Sequence, residues 1–268
     1  MIERRRRFSV ADATTSAVLV TLVAVLGISI WYAVVRWFDL PKALLPTPIE
    51  CLLAAIENRD ALFRGTLSTG VSAVTGLVVA IVVGSLIAVV FSLSRRLRLA
   101  FFPYVILLQT VPIVAIAPLL IIWSGYTFRT VVIVTVIVCL FPIVNSVTSG
   151  LMSIDRDASD LFRLYGASRR RQLTKLQIPS AIRHLMLGAK TSSGLAVIGA
   201  IVAEFFVGNG TSYDGLGTLM TGWQALTKTD ALIAALFASA FLGLALFGSV
   251  QLVSATLLRR WTSTRPTR

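Results

Sequence analysis

Five stretches of this chain run for more than twenty residues without a charge: 13–35, 65–94, 99–128, 130–154 and 231–258. A helix rises about 1.5 Å per residue, so about 20 apolar residues cross the hydrocarbon core of a bilayer. Inside that core every backbone N–H and C=O must be paired within the protein, and a run this long meets the demand as a helix. A sixth stretch, 185–207, is also apolar but carries Lys190 near its start and Glu204 near its end. Charged residues make up 14% of the chain, against about 25% in ordinary soluble domains. That is too few to solvate the surface, so lipid must cover much of it. The expectation is an all-α integral membrane protein with six transmembrane helices.

The cationic residues set its orientation. With the N-terminus in the cytoplasm and the spans alternating, nineteen of the 25 Lys and Arg fall on the cytoplasmic side. They include Arg4 to Arg7, Arg95, Arg96, Arg98, Arg163, Arg169 to Arg171, Arg259 and Arg260. Six lie outside: Arg36, Lys42, Arg59, Arg64, Arg129 and Lys228. This is the positive-inside pattern, and it accounts for the net charge of +13 without nucleic acid. Arg4 to Arg7 imitate the start of a signal peptide, but the apolar run behind them exceeds the ~7–15 residues of a signal core. It reads as an uncleaved first span. The expected organisation is a basic cytoplasmic N-terminus over 1–12 and one membrane domain over 13–258. Its spans lie near 13–37, 65–94, 99–124, 129–152, 185–207 and 231–258, and a cytoplasmic tail follows over 259–268. Both termini are expected on the cytoplasmic side.

Two connections and one span carry more detail. Pro46 and Pro48 punctuate the segment after the first span, and Ile49, Leu52, Leu53 and Ile56 follow at near-helical spacing. This predicts a short amphipathic helix at the outer interface. The segment 207–229 is rich in glycine and is expected to turn several times at the outer surface. The third span holds Pro103, Pro112 and Pro118, each of which removes a backbone donor. It reads as a kinked helix, either beside a transport pathway or kinked only by packing. Gln109 and Thr110 between two of the prolines favour the pathway.

The stretch 153–184 is far longer than a connector needs. Asp155 is placed to cap a first helix with an apolar face of Leu161, Phe162, Leu164 and Tyr165. Gly166 suits a left-handed stop. Ser168 is placed to cap a second helix running to about Leu176, and Ile178-Pro179 is expected to end it. Exposed apolar residues beside dense arginines fit two partners: a soluble protein that docks on them, or anionic lipid beneath them.

The residues of this stretch resemble a known motif. Asp160-Leu161-Phe162, three residues, Gly166, nine residues, then Leu176-Gln177-Ile178-Pro179 is similar to the EAA motif of ABC-importer permeases. That pattern is Glu-Ala-Ala, three residues, Gly, nine residues, Ile-x-Leu-Pro. Asp stands for Glu here, Leu161 and Phe162 replace the alanines, and Leu and Ile exchange places. The run 110–125, TVPIVAIAPLLIIWSG, looks like the third helix of the nitrate/sulfonate/taurine branch. Leu45-Pro46-Thr47-Pro48, Phe141-Pro142-Ile143, Ala203-Glu204-Phe205 and Gly215-Leu216-Gly217 also fit, and the resemblance extends over most of the chain.

The resemblance implies a MetI-like type I permease, present as a homodimer in a bacterial inner membrane. Its partners would be a cytoplasmic ABC ATPase dimer and an extracytoplasmic solute-binding protein, with a coupling loop over 153–184. Asp160, Leu161, Phe162, Gly166, Leu176, Ile178 and Pro179 would contact the ATPase. ATP and Mg would be held by that partner; the chain lacks a G-x-x-x-x-G-K-[ST] loop. No catalytic or metal-binding residues and no cofactor of its own are expected. Glu204 reads as a pathway or gate residue, or else as a structural partner of the glycine-rich segment. Gln109 and Asn145 read as pathway residues or as interhelical glue. A secondary transporter or channel is the rival class, but the paired broken helices and coupling carboxylates it needs are not visible. A membrane enzyme has no His, Cys, Asp or Glu cluster to stand on.

Overall fold

The computed structural model describes residues 10–208 and 213–262. Arg4 to Arg7, Gly210 and the tail beyond 262 lie outside them. The described chain folds as α1 (Val10–Trp37), α2 (Pro48–Glu57), α3 (Arg59–Leu93), α4 (Arg95–Thr110), α5 (Ile113–Ser124) and α6 (Phe128–Met152). It continues as α7 (Arg156–Leu164), α8 (Arg169–Gln172), a π-helical turn (Leu173–Gln177), α9 (Ile178–Val207), α10 (Leu216–Ala225) and α11 (Thr229–Thr262).

Five of these helices are long and apolar enough to cross a membrane: α1, α3, α6, α11 and the run Arg169–Val207. The span expected over 99–124 is not one kinked helix. It is the pair α4 and α5, bent by 100° at Val111 and Pro112. Val111 precedes a proline and sits at φ −73°, ψ 126°, while Pro112 has ψ 114°. Steric conflict with the proline ring disfavours the helical region for the residue before it. Pro103 and Pro118, by contrast, lie inside α4 and α5.

The core sits where α3, α6 and α9 cross. Ala73, Leu77 and Ala80 of α3 meet Val131, Val134 and Ile143 of α6 and Ala196, Ala200 and Ala203 of α9, all buried. Small residues let helix backbones approach closely where lipid supplies no hydrophobic driving force between them. Gly76 marks the closest approach: a Cβ there would overlap the Thr135 side chain. Gly76→Leu is expected to destabilise the bundle by about 3 kcal/mol, the upper part of the overpacking range. Gly27→Leu on α1, where nothing lies within 4 Å, should leave the melting temperature in detergent unchanged.

The outer faces stay apolar and open. Val18, Val20 and Val23 of α1 are each more than half exposed, as a helix bathed in lipid requires. Near its far end Trp31 of α1 stacks on Phe237 of α11 at 6.1 Å between ring centroids.

The two ends of the bundle differ. At one end the α3–α4 turn shares a cavity with Arg163 of α7 and Arg169 of α8, and Arg98 of α4 reaches the Met152 sulfur of α6. At the opposite end the short helix expected after the first span forms as α2. Thr47 caps α2 in a reciprocal box with Glu50, with Pro48 in the first turn. The Thr47 N–H and hydroxyl hold the Glu50 carboxyl below the usual carboxylate range. Lys42 pairs with Asp230 at 2.9 Å, and Thr229 donates to the Ala43 carbonyl, tying the α1–α2 connection to α11.

Candidate docking site

The α7–α8 loop is built from local hydrogen bonds. The Asp155 carboxylate accepts from the Asp157 N–H at 3.2 Å and caps α7. At the other end Ala167 N–H donates to Phe162 O and Gly166 N–H to Arg163 O, both at 2.9 Å. These two bonds form a Schellman motif, which needs a left-handed residue after the helix. Gly166 supplies it at φ +67°. Ser168 then accepts from Arg171 N–H and caps α8. All three sequence-placed caps stand where expected.

The face that α7 presents is unpacked. Leu164 and Tyr165 are more than four-fifths exposed, Leu161 about half, and Phe162 is partly buried. Asp160 lies 3.8 Å from Arg163 with both side chains mostly in solvent. Such a pair adds little to stability.

The second half of the loop departs from expectation. Ile178 and Pro179 do not end a helix. From Arg169 to Val207 the backbone stays helical for 39 residues, with the π turn at Leu173–Gln177 in the middle. Ile178 N–H donates to Leu173 O, five residues back. Proline is tolerated in the first turn of a helix because its missing N–H has no intrahelical acceptor there. The widened turn places Pro179 in that position at the start of α9. Leu176 is partly buried on the π turn, whereas Ile178 is 40% exposed.

At the opposite end α9 carries Glu204, fully buried. Its Oε2 accepts from the Thr69 hydroxyl and from Gly217 N–H, each at 2.9 Å. Its Oε1 accepts from the Tyr213 hydroxyl at 3.2 Å. Thr69 in turn accepts from Leu216 N–H at 2.8 Å, and Tyr213 lies 2.6 Å from the Ser72 hydroxyl. Burial, with the Glu204 carboxyl beside it, pushes the Tyr213 hydroxyl up to about 12, so it remains a donor. One side chain thereby joins α3, α9, the segment before α10 and the first turn of α10. The fit is tight: a Cβ at Gly217 would lie 2.5 Å from Ile201 O and 2.6 Å from Glu204 Cβ.

Residues 80–262 match the family described as the inner membrane component of binding-protein-dependent transport systems. The chain belongs to that family. Over 239 residues this ABC transporter permease is 30% identical to the formylaminopyrimidine transport permease protein of Halalkalibacterium halodurans, covering 89% of this chain and 94% of the relative. It is also 30% identical to the riboflavin transport system permease protein of Chloroflexus aurantiacus, over 85% of each chain. The putative aliphatic sulfonates transport permease protein of Bacillus subtilis is 25% identical, with 87% of this chain and 83% of the relative covered.

The permease keeps its three polar pathway candidates apart. Glu204 is enclosed, Gln109 is exposed one residue before the end of α4, and Asn145 is exposed on α6. Among the described residues no hydrogen bond joins any two of them. Sequence reasoning missed Thr69, Tyr213 and Gly217 as the partners of Glu204. It also missed α10: the segment 207–229, expected to turn repeatedly at the surface, contains a helix with Leu216, Met220 and Trp223 buried. Those three residues stand at i, i+4 and i+7, the spacing of one helical face, and the surrounding glycines masked it.

Proposed function

We propose that this permease is one of two identical membrane subunits of an ATP-driven importer. Its α7–α8 loop is the element that a cytoplasmic ATPase dimer grips. Both termini lie on that side, where the arginines concentrate. An external binding protein delivers a small metabolite to the opposite end. Nitrate, sulfonate or taurine-like solutes fit the resemblance, and heteroaromatic metabolites fit the names of two relatives. ATP and Mg belong to the ATPase. The observation that carries this reading is the rigidly capped, exposed apolar face of α7 at the basic end. Uncovered apolar surface of this kind marks an interaction site.

Asp160, Leu161, Phe162 and Gly166 form the gripped face, and Leu176, Ile178 and Pro179 carry its movement into α9. Gln109 beside the α4–α5 break and Asn145 on α6 offer amides to the route. Intramembrane polar groups facing away from a packed core favour a watery pathway. Glu204 acts on the route by holding its outer loop.

Co-expression with the cognate ATPase tests the docking role. The wild-type permease should retain the ATPase through purification in mild detergent, as a particle with two copies of each by native mass spectrometry. Leu161→Asp with Leu164→Asp should lose the ATPase and remain in the membrane at normal level. Full retention of the ATPase by that double variant would remove α7 from the interface.

A further inference from the structure

The α3–α4 turn and the α7–α8 loop enclose a polar cavity of about 780 Å³. Arg95, Arg96, Arg163 and Arg169 line it, together with Ser92 and Gln177. Among the described residues the only carboxylate within ion-pair distance of any of these arginines is Asp160, at the weak 3.8 Å contact with Arg163. The cavity also adjoins the start of α4, whose first turn is capped by Ser94. The positive end of a 16-residue helix adds to the field there. Four cations in one recess repel each other unless an anion joins them.

The same turn borders a second cavity of opposite character. It holds about 710 Å³ between α3, α4 and α6, with walls that include Leu86, Val90, Phe91, Leu97, Phe101 and Leu108. Phe91 and Leu97 face this groove, and the residues between them, Ser92 to Arg96, face the polar cavity. The cationic recess and the apolar groove therefore meet across a single tight turn. A soluble anion satisfies only the first. A neutral lipid satisfies only the second. An acidic protein segment from the aqueous side reaches the arginines but not the walls at Leu86 and Leu108, which lie within the spans.

We infer that the α3–α4 turn is a binding site for an anionic phospholipid, its phosphodiester among the arginines and an acyl chain along the α3–α4 groove. The site is separate from the exposed apolar face of α7, and it is measured on the permease without its ATPase. A failure of ATPase capture leaves the lipid result standing, and the reverse holds as well.

The test is native mass spectrometry of the full-length permease extracted from nanodiscs. One set contains dioleoylphosphatidylglycerol, a second dioleoylphosphatidylcholine, and a third the glycerol lipid with millimolar inorganic phosphate added. The wild type should retain phosphatidylglycerol and not phosphatidylcholine, and phosphate should fail to displace it. A cation near an anionic headgroup contributes a roughly fivefold change in affinity. The triple variant Arg95→Gln, Arg96→Gln, Arg169→Gln should therefore retain on the order of a hundredfold less. Arg183→Gln, on α9 outside the cavity, should match wild type. All three arginines are exposed, so the variant should fold; Arg95→Gln alone, expected at about fivefold, serves if it does not. Equal retention of phosphatidylcholine, displacement by phosphate, or unchanged retention by the arginine variants would overturn the assignment.

Discussion

Replacing Gly166 with valine is expected to leave the permease folded and in the membrane while ATP-driven uptake falls on the order of tenfold. The residue sits at φ +67°, where an L side chain costs about 1–2 kcal/mol and a β-branched one more. Nothing lies within 4 Å of the position its Cβ would take, so the bundle feels no clash. The strain falls on the turn alone. A nine-residue helix is too short to hold itself together in water, so the turn sets the direction in which α7 points. Docking in the proper direction must then overcome the strain, and 1.4 kcal/mol is a factor of ten. Uptake of labelled solute into proteoliposomes, read beside the ATP hydrolysis rate, measures the loss. Gly166→Asn, which tolerates the left-handed region, should recover most of it. A valine variant that transports at the wild-type rate would show that α7 needs no fixed direction.

Glu204→Ala is expected to be the most damaging single change at the opposite end, and Glu204→Gln nearly harmless. Alanine strands the Thr69 hydroxyl and Gly217 N–H, which now donate to the carboxyl, and leaves the Tyr213 hydroxyl only Ser72 as a partner. Each buried orphan costs about 1–3 kcal/mol, and the cavity adds more. A total near 4 kcal/mol lowers the melting temperature by roughly 10 °C in a chain of this size. Glutamine keeps the shape. Its oxygen can take the two donors at Oε2, and its NH2 then faces Tyr213, whose hydroxyl can turn to donate to Ser72. Thermal unfolding and uptake should therefore move together: both lost in alanine, both kept in glutamine. A glutamine variant with normal stability but no uptake would show that the carboxyl serves the route through its charge.

The local devices were legible because their partners are neighbours in sequence. Asp155 and Ser168 each bond within three residues, so composition at the right offset was sufficient. Three prolines in one apolar run were not separable in the same way. Pro103 and Pro118 stay within helices and Pro112 breaks one, a choice made by packing of α4 and α5 against other elements. Pro179 escaped prediction for a related reason: a π turn changes the hydrogen-bond frame, and five residues of ordinary helical composition do not announce it. The surroundings of Glu204 were the least readable. Thr69 lies 135 residues away, and nothing in either segment singles out the other until α3 and α9 are packed together. The carboxyl itself was visible as an oddity in an apolar run; its donors were not.

The unbroken run Arg169–Val207 has a mechanical corollary. Thirty-nine residues of helix make a strut about 55–60 Å long. One tip begins in the capped turn beside α7 and the other ends three residues past Glu204. Pro179 sits in the first turn of α9, and the helical run continues through it without a break. Under the docking role proposed for α7, a tilt imposed at Arg169 would travel along this one run to the carboxyl that anchors the far segment, and the two ends of the protein would share a single moving part.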